Sequence, residues 1–378
     1  MRIALLSYST KPRGGVVHTL ALAEALAELG QDVTVWSLGR GGDTSFFRPV
    51  DPRVRLSVVP FPDVAGESVG ARILRSIAVL REAFDGSAYD VVHAQDCISA
   101  NAAGRCIRTV HHLDNFSTPE LAACHERAIV EPVAHVCVSA AVATELADGW
   151  GIKATVIANG VNADRFAAAA SDAPDAVARR ADWRSRLGRF VLTVGGIEPR
   201  KGSLDLLQAY AMLADPELRL VIAGGETLFD YRSYRTAWDA TAHALGVEPV
   251  VLGPVDDELL PALVAAADVF AFPSIKEGFG LAPLEALAAG VPLVVSDLPV
   301  FREIFGPTAT YAATPTELAQ ALQAALDPAP DRVIPPAADG TLTTSAADRR
   351  TAGRALAATY TWSAAARAHL AFYTSLPR

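Results

Sequence analysis

Cysteine is scarce and never closely paired. The chain has four, Cys97, Cys106, Cys124 and Cys137, all in its first half, and none forms the C-x-x-C spacing of a zinc ribbon or redox motif. Histidines 93, 111, 112, 125 and 135 share that region, but the combined spacings fit no standard zinc pattern. Cys137 sits between Val136 and Val138 as a residue of a buried strand does, so the thiols read as reduced core residues and no metal is expected. Positive charge is also short. Against 42 Asp and Glu stand 33 Lys and Arg, a formal charge of −9, with no basic stripe of the kind nucleic acid requires. Long apolar runs are missing too, and nothing approaches the ~20 residues of a membrane span. The N-terminal MRIALLSYS breaks its apolar run at Ser7, before a signal-peptide core would be complete. The expected compartment is the cytoplasm, with local patches leaving room for peripheral association with a membrane surface.

What is present is ample core material. Half of the 378 residues are hydrophobic, and the length is comfortable for two domains. Short apolar runs alternate with helical stretches: Ile3 to Ser7, VTVWSL (33–38), VRLSVVP (54–60), DVVHAQ (90–95), IRTVHH (107–112), HVCVSA (135–140) and ATVIAN (154–159). An amphipathic helix is expected from about Val16 to Leu29, stopped by Gly30. Residues 163–189 break the rhythm with a polar, Ala-rich stretch suited to a connection. The pattern then restarts with FVLTVGG (190–196), LRLVIAGG (218–225), PVVLG (249–253), VFAFPS (269–274) and PLVVSD (292–297). Continuous apolar strands alternating with helices indicate α/β domains whose parallel sheets are covered on both faces. The expected organisation is a Rossmann-like doubly wound domain over 1–165, a linker over 166–189 and a second such domain over 190–358. A C-terminal helix over 359–378 is expected to dock near the interdomain region. The Pro-rich stretch 328–345 reads as a surface loop. Ligands of such sheets bind outside the carboxyl ends of the strands, and two domains facing each other there can close over a substrate.

The segment from Pro273 to Gly290 carries the most chemistry. It passes from a buried strand through a glycine-containing loop into a helix. Gly278 and Gly280 let the backbone approach a ligand, and the N–H groups from Phe279 to Leu281 suit an anion. Glu277 lies in the loop and Glu285 about one turn into the helix. Two carboxylates beside an anion-binding loop are awkward for phosphate alone, but they suit a sugar and a ribose attached to phosphate. Either Glu by itself reads as a solvated surface residue; it is the combination that points to a ligand. A second cluster, Val194-Gly-Gly-Ile-Glu-Pro-Arg-Lys-Gly202, puts Arg200 and Lys201 at a helix start. Cations there oppose the helix dipole unless an anion sits nearby, which favours a diphosphate.

The spacing of Glu277 and Glu285, within PS-x-x-EGFGL-x-P-LEALA-x-G, is similar to the E-x-7-E signature of retaining glycosyltransferases of family 4, which have the GT-B architecture. GPVDDELLPALVAAADVFAFPS (253–274), SDLPVFREI (296–304) and VIANGVNADRF (156–166) resemble that family's flanking segments in the expected order, so the resemblance spans nearly the whole chain. It implies an acceptor-side first domain, a donor-binding second domain and transfer of a hexose-type sugar with retained anomeric configuration. The donor would be a nucleoside-diphosphate sugar, with UDP or GDP as the expected leaving group and no cofactor or metal. It further implies that Arg200 and Lys201 hold the pyrophosphate, Glu277 the sugar hydroxyls and Glu285 the ribose. Val255 marks a backbone contact to the base. The Gly14-Gly15 loop reaches donor phosphate and acceptor, and His111, in Thr109-Val-His-His112, contacts the transferred sugar. His112 stands where the family often has Asp, and with His93 and Asp96 it is an acceptor-side candidate. Where many members have Arg after the first glycine of the second cluster, this chain has Gly196. A binding or epimerase-type protein on the same fold, without transferase activity, is the alternative. An NAD-dependent enzyme is disfavoured, because no G-x-G-x-x-G follows either domain's first strand.

Overall fold

The computed structural model describes residues 1–114, 116, 118–224, 231–327 and 346–376. The expected loop 328–345 and Gly225, at the end of one expected strand, lie outside the described residues. The chain divides into two compact units, one made of residues 1–160 with 360–378 and the other of residues 161–359.

Among its described residues the first unit holds seven strands: β1 (Arg2–Leu6), β2 (Asp32–Arg40), β3 (Arg55–Phe61), β4 (Val91–Ala94), β5 (Ile107–Val110), β6 (Ala134–Cys137) and β7 (Thr155–Val156). They pair in parallel in the order β3-β2-β1-β4-β5-β6-β7. Ile3, Ala4, Leu5 and Leu6 are all fully buried, as expected where helices cover both faces of a parallel sheet. The helix Gly14–Glu28 contributes Leu20, Leu22 and Leu26 to this core. It starts two residues before the apolar pattern does, because Gly14 and Gly15 form its first turn. The expected strand 154–159 shrinks to the two-residue β7.

The second unit holds β8 (Arg189–Val194), β9 (Leu218–Ala223), β10 (Val250–Gly253), β11 (Val269–Phe272), β12 (Leu293–Ser296) and β13 (Thr310–Ala312). They pair in parallel in the order β10-β9-β8-β11-β12-β13. β13, only three residues long and reading Thr-Tyr-Ala, is too short and too polar to stand out as an apolar run. Residues 166–189, read from the sequence as a linker, contain the helix Pro174–Leu187. Its polar composition hides two buried anchors, Trp183 and Leu187. Arg184 ties it to the sheet through a bidentate pair with Asp268, whose carboxylate also accepts from the Phe190 N–H.

In each unit strand order reverses beside the first strand, between β1 and β4 and between β8 and β11. Loops leaving the carboxyl ends of these strands diverge there and open a crevice.

The C-terminal helix Trp362–Ser375 belongs to the first unit and packs against the helix Gly14–Glu28. The Thr361 side chain caps it by accepting from the Ala364 N–H. Its Tyr373 hydroxyl lies 2.7 Å from His93 Nδ1, while the opposite ring nitrogen is 2.7 Å from the Thr109 hydroxyl. A buried polar chain thus links the helix to β4 and β5. Tyr373→Phe should lower stability by about 1–3 kcal/mol, since it strands a buried imidazole nitrogen. Urea unfolding would show this as a lower midpoint without loss of slope; an unchanged midpoint would mean that the contact contributes nothing.

Candidate active site

In the second unit the loops after β8 and β11 bring one acid and two bases together. A short 3₁₀ turn, Pro199–Lys201, follows the β8 loop. Gly202 then turns the chain into the helix Ser203–Leu213 at φ +61°, where a Cβ would run into the Pro273 carbonyl. Only glycine allows that approach, and it sets Arg200 and Lys201 beside the β11 loop. The Ile275 N–H donates to the Arg200 carbonyl at 2.9 Å, closing the two loops together. Glu277 Oε2 accepts from Lys201 Nζ at 2.7 Å and from Arg200 Nη1 at 3.0 Å. Arg200 also reaches the Lys276 carbonyl and the nearly buried Glu198, each at 3.2 Å. Lys201 Nζ lies 4.4 Å from the centroid of the Phe272 ring. Burial pulls the Lys201 pKa below the ordinary lysine value, against the raising effect of Glu277 and with the help of Arg200.

The helix Leu281–Ala289 leaves the same loop. Its N-cap is Gly280 at φ +101°, where a Cβ would meet Phe305 Cζ at 2.8 Å, so no side chain caps the helix. No acidic residue occupies its first turn, and the first amides keep their unopposed positive end. Glu285 is the one ionisable side chain on an otherwise apolar helix. Burial pushes its pKa up to about 8; Arg165 opposes this and Asp257 adds to it. Arg165 Nη1 and Asp257 Oδ2 are themselves paired at 2.9 Å. Val255, half-buried in the loop after β10, lies two residues before Asp257.

In the first unit, Gly14 and Gly15 begin their helix without a side-chain cap. A Cβ at Gly15 would lie 3.7 Å from His111 Cδ2 and Nε2. His111 follows β5 directly, and His18, one turn along the helix, meets its ring edge-on at a centroid distance of 4.8 Å. Burial lowers the His111 pKa well below the ordinary value, helped by Arg108 and His112, so the imidazole is neutral near pH 7. His112 is engaged elsewhere, with its Nε2 2.8 Å from Asp114. The structure draws the other two first-unit candidates inward. His93 is fully buried with both nitrogens bonded, so it presents no face to an acceptor. Asp96 caps the helix Cys97–Ala103 and also accepts from the Tyr8 N–H. A place at a strand end does not tell an outward side chain from one that serves the core.

A family model described as glycosyl transferases group 1 matches residues 180–331, and one described as glycosyltransferase family 4 matches residues 12–165. A phosphatidyl-myo-inositol mannosyltransferase of Mycolicibacterium smegmatis is 30% identical over 356 residues, covering 86% of this chain and 84% of that protein. The chain belongs to glycosyltransferase family 4. Another similar protein is the D-inositol 3-phosphate glycosyltransferase of Salinispora arenicola, 29% identical over 348 residues with 78% and 76% covered. Among solved structures, Anabaena HepE in complex with UDP-glucose aligns at a TM-score of 0.75 and 19% identity over the full length of both chains. A sucrose-phosphate synthase from Thermosynechococcus elongatus aligns at 0.74 and 19%, covering 99% and 98%. These likenesses carry the fold, so the glycosyltransferase has the GT-B architecture.

Sequence reasoning passed over Glu198, Arg165 and Asp257. Glu198 stands two residues before Arg200, a spacing that could have suggested a carboxylate facing the same guanidinium. Nothing local announces Arg165 or Asp257, which meet Glu285 only through the fold. For Glu285 the sign of the pH effect follows from its raised pKa. Its contribution to stability is complete below the ordinary glutamate value of 4.5 and is lost as pH rises through about 8. Glu285→Gln cannot ionise. The melting temperature of the wild type should therefore fall relative to this variant between about pH 5 and about pH 8.5; parallel profiles would refute the shift.

Proposed function

We propose that this enzyme moves a hexose from UDP or GDP to an acceptor hydroxyl, retaining the anomeric configuration and using no metal ion. The observation that carries the proposal is Glu277 held by Arg200 and Lys201 beside the uncapped helix Leu281–Ala289, with Glu285 one turn along that helix. Two cations beside a helix N-terminus suit a diphosphate, while carboxylates at each side suit hydroxyl-bearing rings.

In this reading the acceptor oxygen bonds to the anomeric carbon on the face from which the diphosphate departs. The carbon–oxygen bond to phosphate breaks, its electron pair stays on the phosphate oxygen, and the acceptor's proton passes to that oxygen. Arg200, Lys201 and the amides from Phe279 to Leu281 balance the growing negative charge, the part a metal would otherwise play. Glu277 orients sugar hydroxyls. It is not a nucleophile, because its carboxylate is already committed to two cations. Glu285 binds the ribose hydroxyls, as donor when protonated and as acceptor when ionised. The backbone at Val255 meets the base, Gly14 and Gly15 lie close to phosphate and acceptor, and neutral His111 contacts the transferred sugar. His112 is left to the acceptor side with Asp114.

A thermal-shift screen of UDP-, GDP- and ADP-sugars identifies the donor, because a ligand that binds only the native state raises its melting temperature. Two relatives carry inositol in their names, so inositol and inositol phosphate belong in the first acceptor panel. With the donor known, Glu277→Ala and His111→Ala should each reduce turnover by about 100-fold or more while circular dichroism stays native. Wild-type turnover in either variant removes that residue from the site.

A further inference from the structure

His18 is 1% exposed, and its environment is more specific than a space-filling role needs. Its Nδ1 lies 2.8 Å from the side-chain oxygen of Asn159, a residue only 4% exposed. The amide oxygen accepts, so Nδ1 carries the proton and Nε2 keeps a bare lone pair. That Nε2 is buried without a partner among the described residues, as is His111 Nε2. Asn159 is held by its neighbour. Gly160 packs so closely on the backbone of Thr361 and Trp362 that no Cβ fits. The Trp362 ring then meets His18 edge-on at 5.4 Å. Gly15 and His18 are three residues apart on one helix and therefore share a face; His111 lies over that face, 3.7 Å from where a Cβ at Gly15 would stand and edge-on to the His18 ring.

We infer that His18, with its tautomer set by Asn159, is a positioning residue that holds the neutral His111 imidazole in the orientation its work on the sugar requires. This rests on the reading of His111 given above. A charged His18 would place a proton against His111, and several groups oppose that charge. Burial, His111 and His369 all disfavour the imidazolium, with only the Asn159 bond favouring it. His93, Arg108 and His112 likewise disfavour a charge on His111.

Two variants and one spectroscopic measurement test the inference on the intact enzyme. His18→Phe keeps the ring volume but removes the nitrogens. It should lower kcat about ten- to a hundredfold and leave the donor KM within about twofold. Asn159→Asp puts a carboxylate opposite Nδ1, favours His18 imidazolium, and should move the acid limb of the kcat profile up by about one pH unit. Histidine ¹⁵N shifts should show protonated Nδ1 at His18 in the wild type. A His18→Phe enzyme with wild-type kcat, an unmoved acid limb in Asn159→Asp, or an Nε2–H tautomer at His18 would each overturn the inference. If His18→Phe does not fold, the Asn159→Asp profile and the tautomer still decide. Failure of the His111 reading is separately visible, because His111→Ala would then keep full turnover whatever His18 does.

Discussion

The carboxylate of Glu277, bonded through one oxygen to Arg200 and Lys201, is the contact on which the loop architecture of the second unit turns. Charges drawn this far from water are costly unless each meets its opposite. Here the Glu198 and Glu277 carboxylates answer the Arg200 guanidinium and the Lys201 ammonium. That balance lets two loops from different strands close on each other. It also explains the glycines around them. Gly202 must let its backbone against Pro273, and Gly280 must turn beneath Phe305, or the charged side chains would not converge.

The two carboxylates of the signature live in different surroundings despite their proximity in sequence. Glu277 has cations in contact. Glu285 has only the more distant help of Arg165, already engaged by Asp257, and its proton is correspondingly hard to remove. One motif therefore supplies a carboxylate paired with two cations and a second whose pKa burial pushes up to about 8. The first unit solves the opposite problem. It gathers His18, His93, His111 and His369 in one buried region and keeps them neutral by burial.

Much of this was readable in the sequence. The apolar runs located twelve of the thirteen strands among the described residues, because a parallel sheet covered on both faces leaves a continuous hydrophobic trace. β13 escaped because three residues with a tyrosine and a threonine leave no such trace. The helix Pro174–Leu187 escaped as a packed element because two buried anchors suffice to hold it. Motif spacing singled out Glu277, Arg200 and Lys201, which the fold brings into contact. It set His111 apart through the Thr-x-His resemblance, but it could not show that the His93 ring turns inward to Tyr373 and Thr109.

The first unit is discontinuous, and this bears on synthesis. Its core includes Ala366 and Tyr373, more than two hundred residues after its last strand. While the chain is being made, the helix Gly14–Glu28 and His93 wait for partners that emerge only after the whole second unit. The second unit, continuous in sequence, can complete its core first. The usual order, in which the N-terminal domain folds first on the ribosome, is thus reversed here for the final step. During that interval the unfinished face of the first sheet is the surface that chaperones would need to guard.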